Sequence, residues 1–115
     1  MATIKAYTDL EQSKKLTEIL PLESADMHYF IADSLEKQEI NYAVRCGTPI
    51  VKTDIPCWSL SALLSVLTYP DIKQRYDDNW VCRVENKDTT YLWVDSNPID
   101  ACVAMIEKLH KENIL

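Results

Sequence analysis

Three stretches of the chain repeat apolar residues with the 3.6-residue period of an amphipathic helix. Thr8 and Glu11 form a capping-box pattern, and Pro21 disfavours continuation, so the first helix is predicted over about residues 9–20. The second is predicted to begin after its cap, Ser59, and to end before Pro70. Its leucines stand at i, i+3, i+4 and i+7 on a wide apolar surface, which suggests a central position in the core.

The third helix has the strongest start signal in the chain. Asn97 can cap it, Pro98 suits the first helical position, and Asp100 favours the positive helix end. Its apolar face is formed by residues at helical spacing, which are Ile99, Cys102, Val103, Ile106 and Leu109.

Short apolar or alternating segments predict about four strands. They are Met27–Ala32, Ile40–Cys46, Trp80–Glu85 and Thr89–Val94. The run Met27–Ala32 suits either a strand or a buried helix, and a strand is favoured. The last two strands are predicted to form a β-hairpin, whereas the polar segments 34–39 and 71–79 are interpreted as a connection and a surface loop.

These elements predict an α+β fold, in which a small antiparallel sheet, including the hairpin of the C-terminal half, packs with about three helices. The 115 residues are enough for one hydrophobic core and correspond to a single domain, residues 1–115. Gly47 is the only glycine and is expected at the turn after the second strand. Dinucleotide fingerprints, phosphate loops, nucleophile elbows and EF-hand loops therefore cannot be built with their usual residues.

Eighteen acidic and twelve basic residues give a net charge of −6 and an isoelectric point near 4.8. This charge opposes the phosphate neutralisation that dominates nucleic-acid affinity, so neither nucleic acid nor an anionic membrane is an expected partner. The chain begins without the apolar core or cleavage site of a secretory signal, and it has no 18-residue apolar run. We therefore expect a cytoplasmic protein whose four cysteines are reduced thiols, mostly inside.

Cys57 is the best catalytic candidate among the cysteines. It is expected just ahead of the second helix, where amide donors and the helix dipole can stabilise a thiolate. Such a nucleophile needs a base, for which His28 is the candidate. The favoured interpretation is nevertheless burial, because cysteine is often buried and Pro56 and Trp58 adjoin it.

Metal and other catalytic sites have weaker patterns. Zinc could draw on the thiol and imidazole groups of the chain, which belong to Cys46, Cys57, Cys82, Cys102, His28 and His110. Their spacing lacks the close ligand pairs of structural zinc sites, so no metal and no cofactor are predicted. The cluster of Glu23, Asp26 and His28 is better explained by a solvated helix start, Asp77 and Asp78 by an exposed loop, and Ser59 by capping.

Tryptophans and tyrosines are numerous for so short a chain, and most of them are expected in the core. In the last strand Tyr91 and Trp93 point to one face and Leu92 and Val94 to the other. Both faces of the strand are therefore apolar, and each needs a packing partner. Tyrosine and tryptophan are enriched where interfaces concentrate binding energy. Tyr91 and Trp93 are therefore the candidate binding residues, for a protein partner or for a homodimer.

Two segments carry a resemblance to a known group of sequences, Asp54–Leu67 with its Trp58-Ser59-Leu60 start and Ser96–His110. The chain resembles a family of small proteins encoded in gut Bacteroidales genomes and in their phages or integrated elements. Members share a Trp-Ser-Leu helix ending near a proline, a tryptophan-containing hairpin and a closing helix introduced by Asn-Pro. Tyr69 before Pro70 departs from this pattern, because the family reaches the proline directly after leucine.

The resemblance implies a mobile-element origin and supplies no catalytic residues, since no activity is established for the family. Together with the acidic surface and the aromatic excess, it favours a non-enzymatic accessory protein that acts through protein–protein contact. Two alternatives remain at this point: a cysteine-dependent enzyme that uses Cys57, and a small-molecule or metal-binding module.

Overall fold

The computed structural model describes residues 5–33 and 41–115 and has the predicted α+β architecture. Within these ranges the chain forms three α-helices and two antiparallel three-stranded sheets. The helices are α1 (Leu10–Thr17), α2 (Leu60–Val66) and α3 (Pro98–Lys111), and a 3-10 turn spans Leu22–Ser24. The strands are β1 (Met27–Asp33), β2 (Asn41–Cys46), β3 (Ile55–Cys57), β4 (Asp71–Gln74), β5 (Trp80–Asn86) and β6 (Thr89–Asp95). The connection predicted over 34–39 lies outside the described residues.

The first sheet has the strand order β2-β1-β3, which confirms that the apolar run after Asp26 is a strand. Gly47 ends β2 with a φ of +110°, a conformation that glycine adopts at little cost, and its N–H donates to the Asp26 carbonyl at 2.8 Å. Strand β3 was not predicted. It contains Pro56, which is tolerated because β3 lies at the sheet edge, where a missing amide donor costs little.

The second sheet has the order β4-β5-β6 and contains the predicted hairpin, with Asn86 opposite Thr89 across a two-residue turn. The prediction of a surface loop over 71–79 was wrong for its first four residues, which form β4. Ile72 pairs with Cys82 and packs against the core, while the other residues of β4 are polar. One inward apolar residue on an edge strand gives too short an alternation to be recognised.

Two of the three predicted helix caps are confirmed. Ser59 accepts the Ala62 N–H at 3.2 Å, and Asn97 accepts the Asp100 N–H at 2.9 Å. The cap of α1 was predicted one residue too early, because Asp9 takes this role and forms the capping box with Gln12. The Thr8 hydroxyl is not free for capping, since it is buried and accepts the N–H of Trp58, the residue that follows β3.

The core forms around α3, which has eight buried residues, whereas α2 has two. The central position suggested for α2 therefore belongs to α3. One face of the second sheet packs against α3 through Cys82 and Val84, which are fully buried. Among residues 5–33 and 41–115, no helix is long and apolar enough to cross a membrane.

Candidate functional site

Strand β6 presents apolar side chains on both of its faces. Tyr91 and Trp93 lie opposite the buried residues Val84 and Cys82 of β5, so they share the face that packs against α3. Leu92 and Val94 are on the outer face, and the exposed fractions of these side chains are 56% and 42%. The alternation predicted from the sequence thus leaves one apolar face outside the core.

The two aromatic residues of β6 differ in their surroundings. Tyr91 is partly buried and packs against the core, whereas Trp93 is 38% exposed. Trp93 lies beside a groove of about 630 Å³, and the Lys108 Nζ lies 6.0 Å from the centre of its ring, within cation–π range. The remaining lining residues come from α3, namely Ala104, Glu107, Lys111 and Glu112.

Strand β6 is also an edge strand, because β5 is its only neighbour in the sheet order of the described residues. Edge strands are usually protected from pairing with other chains by charged side chains, proline or bulges. The segment 89–94 has no charge and no proline, and its pairing with β5 is continuous. Charges flank this segment at Lys87, Asp88 and Asp95.

The sequence pattern predicted Tyr91 and Trp93 as binding residues. Leu92 and Val94, which are more exposed than either aromatic residue, were not predicted as such. The alternation of side chains between the two faces of β6 also pointed to these two residues. Which face of a strand is covered depends on where α3 packs, and that contact is set by residues distant in sequence.

The structure does not bring Cys57 and His28 together. In the pairing of β1 with β3, Met27 lies opposite Cys57 and His28 opposite Pro56. Neighbouring residues of a strand point to opposite faces, so the thiol and the imidazole lie on different faces of the sheet. Cys57 does lie just ahead of α2, as expected, at the end of β3 and two residues before the Ser59 cap.

The Cys57 thiol is fully buried and contacts Thr8, with its Sγ 3.5 Å from the Thr8 hydroxyl and 3.4 Å from the Thr8 carbonyl. Burial raises the pKa of this thiol, which outweighs the hydrogen bonds that favour the thiolate. A protonated, buried thiol is a poor nucleophile. Cys57 is therefore placed for packing.

His28 is buried, and both of its ring nitrogens have partners. The Arg45 Nε lies 2.7 Å from the His28 Nε2, and since a guanidinium only donates, Nε2 must accept. The proton is then on Nδ1, which donates to the Gly47 carbonyl at 2.8 Å. The neutral ring consequently has no free lone pair with which to act as a base.

A buried carboxylate, Asp54, lies near the same ring nitrogen, with its Oδ2 3.9 Å from the His28 Nε2. Its Oδ2 accepts the N–H groups of Ile50 and Val51. These two backbone hydrogen bonds are the main cause of a lowered pKa of Asp54. The carboxylate therefore stabilises the loop after β2.

The other candidate groups are separated or already paired. Within residues 5–33 and 41–115, no cluster of three or more histidine, cysteine or acidic side chains is arranged to hold a metal ion. Asp26 accepts hydrogen bonds from the backbone and the hydroxyl of Ser59, and Asp77 pairs with Arg75 at 3.0 Å in an exposed turn.

Comparison of the chain with family models, curated proteins and solved structures finds no match. The geometry of the fold is therefore the basis for a functional assignment. It defines an α+β domain with an uncharged, apolar strand at the edge of one sheet.

Proposed function

We propose that this chain is a non-enzymatic protein-contact domain that binds an extended protein strand at the free edge of β6. The single observation that supports this is the uncharged segment 89–94, which is unpaired on its outer edge within the described residues and has exposed apolar side chains on both faces. Strand addition satisfies the backbone groups of such an edge and buries its apolar side chains in one step.

The backbone groups available to a partner follow from the hairpin. A two-residue turn makes Asn86 and Thr89 a hydrogen-bonded pair, and pairs along an antiparallel ladder alternate between hydrogen-bonded and non-hydrogen-bonded. Tyr91 and Trp93 therefore bond to β5. The N–H and C=O groups at residues 90, 92 and 94 point outward, and these are the groups that an added strand would bond.

The positions of Cys57 and His28 support this proposal over a cysteine-dependent enzyme, since the pair lacks both a thiolate and a free base.

The resemblance to proteins of Bacteroidales phages and integrated elements supports an accessory role in such an element. A genomic neighbourhood of phage or integration genes is the expected result, and a neighbourhood of ordinary metabolic genes would count against that part of the proposal.

Site-specific photo-cross-linking tests the contact in producing cells. Benzoylphenylalanine replaces Leu92 in one variant and Tyr76, which is 96% exposed in the turn between β4 and β5, in the control. We expect a discrete cross-linked protein from position 92 alone, mapped by mass spectrometry to an extended segment. The added substitution Thr90→Asp should abolish it, because charge blocks strand pairing at an edge. Equal cross-linking from both positions, or none from position 92, contradicts the proposal.

A further inference from the structure

We propose that the strand bound at this edge is β6 of a second copy of the chain, antiparallel to the first and related to it by a two-fold axis at Leu92. This inference rests on the proposed function and specifies its partner. A two-fold axis requires the same surface on both copies to be self-complementary, so each residue of β6 must suit the residue that the axis places opposite it.

The outward backbone groups satisfy this requirement. With the axis at Leu92, the two copies of that residue exchange N–H and C=O bonds, and Thr90 of each copy does the same with Val94 of the other. All three residues have their peptide groups directed away from β5. No backbone group has to change direction for the ladder to form.

The two aspartates that flank the segment 89–94 select this register. With the axis at Leu92, Asp95 lies opposite Thr89, whose hydroxyl can donate to the carboxylate, and Asp88 of the hairpin turn comes level with Ser96, just beyond β6. The five positions 90–94 then pair only with uncharged residues of the second copy.

Every neighbouring register is worse. An axis at Thr90 or Tyr91 sets Asp88 opposite Leu92 or Val94, respectively. An axis at Trp93 or Val94 sets Asp95 opposite an aromatic residue of β6. Burying a carboxylate against an apolar side chain is costly, so the charge pattern of this strand is complementary to itself in one register.

The side chains also fit this arrangement. Tyr91 lies opposite Trp93 of the second copy in a non-hydrogen-bonded pair, where side chains are closest, and both residues are on the α3 face of the sheet. The pair covers the exposed edge of the Trp93 ring and extends over the 630 Å³ groove beside it. On the outer face, the two Leu92 side chains meet across the axis.

Reciprocal charge substitutions at Leu92 test the axis directly. The wild type should have a mass of about 27 kDa by light scattering at about 100 µM, a concentration 100-fold above a micromolar Kd, against 13.3 kDa for one chain. Leu92→Lys and Leu92→Glu should each be monomeric, since each places like charges opposite one another. An equimolar mixture of the two should recover a 1:1 dimer. Ile50→Lys, at a position 73% exposed in the loop after β2, should remain dimeric.

Circular dichroism of each variant establishes that it is folded, which is expected because Leu92 is mostly exposed. Dimers of both single variants, or no recovery in the mixture, would overturn the axis at Leu92. A monomeric wild type that still cross-links another protein from position 92 would overturn the second-copy partner and leave the proposed protein contact intact. A monomeric wild type without any such cross-link would overturn both.

Discussion

Replacing Thr8 by valine tests how the start of α1 is joined to the segment that contains Cys57. The buried Thr8 hydroxyl lies 2.8 Å from the Ser13 hydroxyl and accepts the Trp58 N–H at 3.1 Å. Both of these partners are themselves fully buried residues. Valine has nearly the shape of threonine, so the substitution removes the hydrogen bonds without opening a cavity.

The expected loss of stability follows from the groups that the substitution leaves without a partner. A buried polar group deprived of its hydrogen bond costs about 1–3 kcal/mol, and here the Trp58 N–H and the Ser13 hydroxyl are both affected. We expect Thr8→Val to lower the free energy of unfolding by about 2–6 kcal/mol, a large part of the about 5–15 kcal/mol typical of a domain.

Urea unfolding followed by tryptophan fluorescence measures this loss, because Trp58 is fully buried in the native state. Wild type and variant are compared at one protein concentration, since dimerisation adds to apparent stability. Thr68→Val, at an exposed residue, is the control and should change the free energy by less than about 0.5 kcal/mol. A loss below about 1 kcal/mol for Thr8→Val would refute the idea that Thr8 satisfies two buried groups.

Three further predictions concern reactivity, pH and packing. In the folded protein an alkylating reagent should modify exposed Cys46 rapidly and buried Cys57 only on unfolding. Equal rates of modification of the two thiols would contradict the placement of Cys57 in the core and support a reactive Cys57. Burial alone would raise the pKa of Asp100, but hydrogen bonds to its carboxylate outweigh burial and lower the pKa. The stability that the Asp100 carboxylate adds to the folded protein should therefore be lost as the pH falls below about 4. Acid unfolding should show a smaller loss of this kind in Asp100→Asn. Ile106→Ala should cost about 2–5 kcal/mol in urea unfolding, against little for exposed Ile50→Ala; similar losses would contradict the placement of α3 in the core.

Local chemistry made several elements predictable from the sequence. Ser59 and Asn97 cap helices through side chains that bond amides three residues onward, and the hairpin of β5 and β6 follows from alternation around a short turn. The α1 cap was missed because Thr8 and Asp9 are both good capping residues. The contact that decided between them, from Thr8 to Trp58, spans 50 residues.

The candidate site was predictable only in part, because contacts between residues distant in sequence determine it as well. The alternation in β6 placed Tyr91 and Trp93 on one face and Leu92 and Val94 on the other, but the face that α3 covers depends on tertiary packing. The hypothesis of Cys57 and His28 as a catalytic pair likewise depended on strand register, and a shift of one residue between facing strands reverses the side of the sheet.

Residue-resolved amide exchange tests most directly the central claim that the free edge of β6 is paired with β6 of a second copy. At about 100 µM wild-type protein, a concentration 100-fold above a micromolar Kd, the amide of Leu92, which points away from β5, should exchange about tenfold more slowly than in the monomeric Leu92→Lys, because only the minor monomeric fraction exposes it. In Leu92→Lys, residue 92 should exchange fast while Tyr91 stays protected. Fast exchange at residue 92 in the wild type, with Tyr91 protected, would contradict the claim.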